Sequence, residues 1–194
     1  YIHKPLELDE LEKVVMKEKI LVIDDDPATL ELLKIRLEAE GYEVAIVTDG
    51  KSGLKMIESE KPNLVILDIQ LPGMSGIQVL TEIKKEGKSM PVVMITAYGS
   101  EEIAIESMRQ GADDYITKPI DHNELIASIK RNLEKNRLML NTQRLIVMLK
   151  NSNIRLMEQY NQLEQAKTTL EEKVDQLKVA KEDLEAKLKQ LQVS

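Results

Sequence analysis

The sequence predicts an α/β fold, a doubly wound parallel sheet of five strands followed by a long helix. Two observations predict the sheet. Short apolar runs at 20–23, 44–47, 64–67, 92–95 and 115–116 alternate with helix-length segments. Those runs are rich in Val, Ile and Leu, the composition of strands covered on both faces. One observation predicts the helix: after about residue 134 strand signals, Gly and Pro vanish, and Leu recurs every seven residues.

The elements follow in order. Ile20 to Ile23 runs into Asp24-Asp25-Asp26 and a helix over 27–40, which starts on Pro27, a residue suited to a first helical turn. A strand at 44–47 and a helix over 50–59 come next. The strand 64–67 ends on Asp68 and leads to a helix over 75–86. The strand 92–95 ends on Thr96 and leads to a helix over 100–109. Tyr115-Ile116 leads to Lys118-Pro119 and a helix from 121 onward. Gly41, Gly87 and Gly111 fall where helices should stop. Five β-α units of this length argue for a parallel sheet, and right-handed crossovers place helices on both its faces. This domain is expected over 19–133.

Composition bounds the rest. The 194 residues suffice for one domain of about 100–150 residues plus an extension. Hydrophobic residues make up 42% with no Phe or Trp, so the core must be Val, Ile, Leu and Met. A net charge of −7 offers no basic footprint, and no nucleic-acid contact is expected within the chain. No apolar run approaches the roughly 20 residues of a membrane span, and no signal-peptide pattern opens the chain. Without Cys there are no disulfides and no thiolate metal sites. A cytoplasmic, membrane-free location is expected.

Residues 134–194 read as a coiled-coil helix continuous with the last helix of the domain, since no Pro or Gly occurs from 121 onward. Leu149, Leu156, Leu163, Leu170, Leu177, Leu184 and Leu191 occupy d. Asn153, Tyr160, Lys167, Val174, Lys181 and Leu188 occupy a. Polar a residues lower stability and favour a parallel dimer. The flanking charges support this less, because Lys173 would face Lys178 across a parallel pair. A homodimer is therefore expected, with its orientation open. The competing reading is a single helix packed on another domain.

The N-terminus repeats part of the domain. Tyr1-Ile2-His3-Lys4-Pro5 lies over Tyr115-Ile116-Thr117-Lys118-Pro119, and Glu10-Leu11 over Glu124-Leu125, without a gap. Residues 1–18 are thus expected to be the last strand and helix of a preceding copy of the same domain. A chance amphipathic leader is the alternative.

In a parallel sheet the strand C-ends gather at one edge, where ligands bind. Asp24, Asp25, Asp68, Thr96 and Lys118 should therefore converge. Mg²⁺ takes oxygen ligands in octahedral geometry and keeps some waters. Adjacent acidic residues at a strand end can supply carboxylates, directly or through water. Asp68 can supply another and also act as a nucleophile toward a phosphoryl group. Clustered carboxylates repel, so a cation is needed to hold them together. Thr96 can donate a hydroxyl to a phosphoryl oxygen, and Lys118 can offer a compact positive charge. Singly, each has a plainer reading. Asp24 to Asp26 could be a helix cap before Pro27, Asp68 a turn residue, Lys118 a surface lysine and Tyr115 half-buried packing. Four such readings failing together at four strand ends is improbable. Asp113-Asp114 reads as a turn before a strand, and His3 and His122 as surface residues at helix starts.

Over Lys19 to Leu133 the sequence resembles the receiver domain of two-component response regulators, of the chemotaxis-regulator type. The likeness rests on Val22-Ile23-Asp24-Asp25-Asp26, Leu67-Asp68-Ile69-Gln70-Leu71-Pro72-Gly73-Met74-Ser75-Gly76, Ile95-Thr96-Ala97 and Ala112-Asp113-Asp114-Tyr115-Ile116-Thr117-Lys118-Pro119. It implies a flavodoxin-like strand order, 2-1-3-4-5. It implies that Asp68 accepts phosphate from a histidine kinase or phosphotransfer protein. It implies Mg²⁺ held by Asp25, Asp68 and the backbone carbonyl of Gln70, with Asp24 helping through water. Thr96 and Lys118 would bind the acyl phosphate, and Thr96 and Tyr115 would form the switch. The chain would then be a phosphoacceptor rather than an enzyme, signalling through the coil to an output outside it. Two other readings compete. One is an inactive receiver-like scaffold with a dimerising coil. The other is a haloacid dehalogenase-type phosphatase, whose second acidic pair follows its Lys, whereas here Asp113-Asp114 precede Lys118.

Overall fold

A computed structural model describes residues 17–97 and 101–192, and their side chains except at 101 and 188–192. The N-terminal repeat up to residue 16, with His3, lies outside the described residues. So do the side chains of Leu188 and Leu191.

Among the described residues, five strands, β1 (Lys19–Ile23), β2 (Glu43–Val47), β3 (Leu64–Asp68), β4 (Val92–Thr96) and β5 (Asp114–Thr117), alternate with five helices. The helices are α1 (Pro27–Ala39), α2 (Gly50–Glu60), α3 (Gly76–Lys85), α4 (Glu101–Arg109) and α5 (His122–Gln192). The strands pair parallel in the order β2-β1-β3-β4-β5, the doubly wound order. β3 and β4 are buried along their whole length, which is why they read as unbroken apolar runs.

The period-two geometry of a strand divides the interior into two cores. Ile20, Val22, Leu64, Ile66, Val93, Ile95 and Ile116 face one side, where Leu30, Leu33 and Leu37 of α1 and Leu125, Ile129 and Leu133 of α5 cover them. Leu21, Ile23, Val65, Leu67, Val92 and Met94 face the other, under Ile57 of α2 and Val79, Leu80 and Ile83 of α3. Each such side chain, once fully buried, contributes roughly 1.5–3 kcal/mol of transfer free energy.

Local chemistry sets the helix ends. Asp26 caps α1, accepting from the N–H groups of Ala28 and Thr29. Asp49 caps α2, and Ser75 and Gln78 form a reciprocal capping box at α3. Gly41, Gly87 and Gly111, the expected stops, all take positive φ. α2 instead ends on Lys61 at φ 48, a non-glycine stop that composition did not flag.

Compactness divides the chain between Met139 and Leu140. The first unit holds the sheet. In the second, the helix leaves Leu149, Leu156, Leu163, Leu170, Leu177 and Leu184 exposed. Among the described residues no helix is long and apolar enough to cross a membrane.

Candidate functional site

The topology brings four strand ends to one edge. Ile23 pairs with Leu67, Asp68 with Ile95, and Thr96 with Thr117. The backbone ladder continues one residue beyond the strands. The Ile69 N–H donates to the Ile95 carbonyl at 3.0 Å, and the Lys118 N–H to the Thr96 carbonyl at 2.7 Å. Asp24, Asp68, Thr96 and Lys118 are thereby fixed by sheet hydrogen bonding rather than by loop conformation.

The Lys118 ammonium donates to Asp24 Oδ2 at 2.7 Å and to Asp68 Oδ2 at 2.6 Å. Both carboxylates are buried, 2% and 5% exposed. Their other oxygens are also engaged. Asp24 Oδ1 accepts from the Asp26 N–H at 2.9 Å, and Asp68 Oδ1 from the Gln70 N–H at 3.0 Å. Asp24, Asp25 and Asp68 each offer a carboxylate oxygen, all within 4.8 Å of one another. Asp25 is exposed, so the cluster opens to solvent on that side. Asp26 takes no part in it and turns to α1, where Thr29 Oγ1 donates to it as well.

Electrostatics follow from this packing. Burial pushes the Asp24 carboxyl above its usual range, and the nearby Asp68 charge adds to that. Together they outweigh the Lys118 and Asp26 donors that pull it down. Burial alone would lower Lys118, but its bonds to the two carboxylates raise it. The ammonium is the counter-charge that lets two carboxylates stay together away from water.

Thr96 is buried at the end of β4. By strand alternation it lies on the same sheet face as Met94, whose register partner on β5 is Tyr115. Tyr115 is partly buried against the core beneath α2 and α3, and burial pushes its hydroxyl pKa up. Gln70 lies two residues past the end of β3, with its backbone N–H on Asp68.

Two residues gain roles that sequence reading did not assign. A Cβ at Gly76 would lie 2.0 Å from the Asp68 carbonyl oxygen, and the Gly76 N–H donates to the Ile69 carbonyl at 2.9 Å. The first turn of α3 therefore presses on the backbone of Asp68, and only a residue without a side chain fits. A glycine opening a helix directly after its N-cap was the available signal. The second is Asp114, read as a turn residue. It starts β5, and its carboxylate accepts from Ser128, Arg131 and Asn132 of α5. Its neighbour Asp113 also bonds into the fold, accepting from the Val92 N–H at 3.1 Å and from Lys84 at 2.9 Å. His122 opens α5 as expected and faces Glu40 at 3.5 Å, with its Nδ1 buried and unpartnered.

Comparison with known proteins agrees with this geometry. A model of the response regulator receiver domain family matches residues 20–130. A CheY-like response regulator receiver domain protein from Methanospirillum hungatei is 40% identical, with a TM-score of 0.61. That match covers 63% of this chain and 98% of the other. A response regulator receiver domain protein from Clostridium thermocellum is 34% identical, with a TM-score of 0.60, over 62% of this chain and 98% of the other. NtrX from Brucella abortus is 39% identical, with a TM-score of 0.63. There the match covers 67% of this chain and 30% of that longer protein. The matched region contains every strand end that builds the acidic cluster, and the chain belongs to the response regulator receiver domain family.

Proposed function

We propose that this chain is a phosphoacceptor of a two-component phosphorelay, with Asp68 as the acceptor and a histidine kinase or phosphotransfer protein as the donor. The observation that carries this is the Lys118 ammonium bridging buried Asp24 and Asp68, with exposed Asp25 within reach. A carboxylate held against an ammonium beside an open acidic edge is equipped to receive a phosphoryl group.

The oxygen-only donor set fits Mg²⁺, and Asp24, Asp25, Asp68 and the Gln70 carbonyl would hold it. When bound, the cation neutralises phosphoryl oxygens. A carboxylate oxygen of Asp68 forms the new P–O bond as the donor's P–N bond breaks, leaving an acyl phosphate. Lys118 offsets the added charge, and the Thr96 hydroxyl donates to a phosphoryl oxygen. Thr96 and Tyr115, adjacent on one sheet face, would then shift between two arrangements and bias the domain. α5 belongs both to the sheet's core and to the heptad segment. It is the route by which that bias reaches a dimeric coil and an output outside this chain. We place the protein in the cytoplasm, away from membrane and nucleic acid.

The test is intact mass after incubation with acetyl phosphate and Mg²⁺. The expected result is one phosphoryl adduct on the wild type, lost in Asp68→Ala and lost without Mg²⁺. A folded wild type that gains no adduct from either acetyl phosphate or a phosphorylated histidine donor refutes the reading.

A further inference from the structure

The second unit carries a pattern that phosphoryl chemistry does not use. With the leucines at d, successive a positions are Ile146, Asn153, Tyr160, Lys167, Val174 and Lys181. Apolar and polar residues take strict turns, so the seam repeats every fourteen residues rather than every seven. All six side chains are exposed on the single helix. We propose that a second copy of this chain covers this face, aligned parallel and in register. The proposal rests on the dimer reading above and adds the orientation and the device that sets it.

The argument is one of matching. In a parallel, in-register pair a faces a and d faces d. Asn153, Lys167 and Lys181 would each meet their twin, giving three polar layers, and every other layer from Ile146 to Leu184 would be apolar throughout. In an antiparallel pair a faces d. Each polar residue of each copy would then oppose a leucine, making six mixed layers. A slip of one heptad is as costly, since it sets Asn153 against Ile146 or Tyr160. A slip of two heptads keeps the alternation but gives up two heptads of leucine contact. A polar group pressed against an apolar one loses water without gaining a partner, whereas paired asparagines can exchange amide hydrogen bonds.

The lysine layers are arranged to let charge escape the seam. Ala166 and Ala180 directly precede the two lysines, and Glu171 and Glu185 follow each by four residues. Lys181 Nζ lies 3.8 Å from Glu185 Oε1 within its own helix. The stem can stay in the seam while the ammonium reaches a carboxylate at its rim. The single unfavourable flank, Lys173 opposite Lys178, is an exposed pair and counts for little beside buried polar mismatches.

The chain has no cysteine, so an introduced thiol is unique. Ile146→Cys and Val174→Cys would be made separately in the full chain. Each would be sized by sedimentation equilibrium, then oxidised and run without reductant. The proposal expects a dimer before oxidation and a covalent dimer from both variants, because each thiol meets its twin. A dimer in which either variant fails to link overturns the parallel register but leaves the dimer standing. A monomer, trimer or tetramer overturns both. The phosphoryl adduct, measured separately by mass, does not depend on either outcome.

Discussion

At the residue scale, Gly76 couples backbone packing to the acidic cluster. Its place is fixed by space and not by an unusual φ, since the Asp68 carbonyl oxygen would lie 2.0 Å from any Cβ there. The obstacle is backbone of a buried strand, which cannot swing aside as a side chain can. Gly76→Ala must therefore push α3 away from β3 or displace Asp68. The expected cost is about 3 kcal/mol, read as a lower urea midpoint. Because Asp68 itself moves, the variant should also form the phosphoryl adduct more slowly at a denaturant-free, fully folded temperature. An unchanged midpoint would mean that the helix can retreat freely, and that the close approach has no structural weight.

At the element scale, α5 carries two patterns in succession. Leu125, Ile126, Ile129 and Leu133 bury it against the sheet, and the leucine heptads begin farther on. Both patterns were legible because each is a period, which a window of residues reports. The Asp114 anchor was not legible. Nothing about two acidic residues before a strand tells that one of them will accept three hydrogen bonds from a helix that starts eight residues later. The same holds for Asp26, adjacent to two cluster aspartates in sequence yet committed to capping α1. The seam makes its own prediction. If Lys167 and Lys181 face their twins, replacing both with Leu turns two polar layers apolar. The dimer's dissociation constant should then fall at least about tenfold, or about 1.4 kcal/mol, by sedimentation equilibrium of the full chain. Association that is unchanged or weaker would place the lysines outside the seam.

At the scale of the whole molecule, the sheet and its acidic edge were readable because four of the five apolar runs lead into a residue with chemistry. Parallel pairing then leaves little choice about where those residues meet. The charges set within that edge were not readable, since burial and pairing decide them. Asp114 shows how this reaches global stability. Burial pushes its carboxyl up, but the Ser128 hydroxyl, the Tyr115 N–H and Arg131 outweigh burial and hold it below the usual range. The sign follows from linkage. The folded state binds this proton more weakly than the unfolded chain, where an aspartate titrates near about 3.9. The stabilisation is thus complete above that value and is lost as pH falls through the folded one. Asp114→Asn keeps the shape and removes the charge. The variant should be less stable than wild type by about 1–2 kcal/mol at neutral pH. The gap should stay level down to about pH 5 and then narrow below about pH 4. Urea midpoints of the sheet domain, taken for both proteins across that range, read the gap directly. A gap that holds constant to pH 3 would mean that the carboxylate's charge is not what ties β5 to α5, and that the hydrogen-bond geometry alone does so.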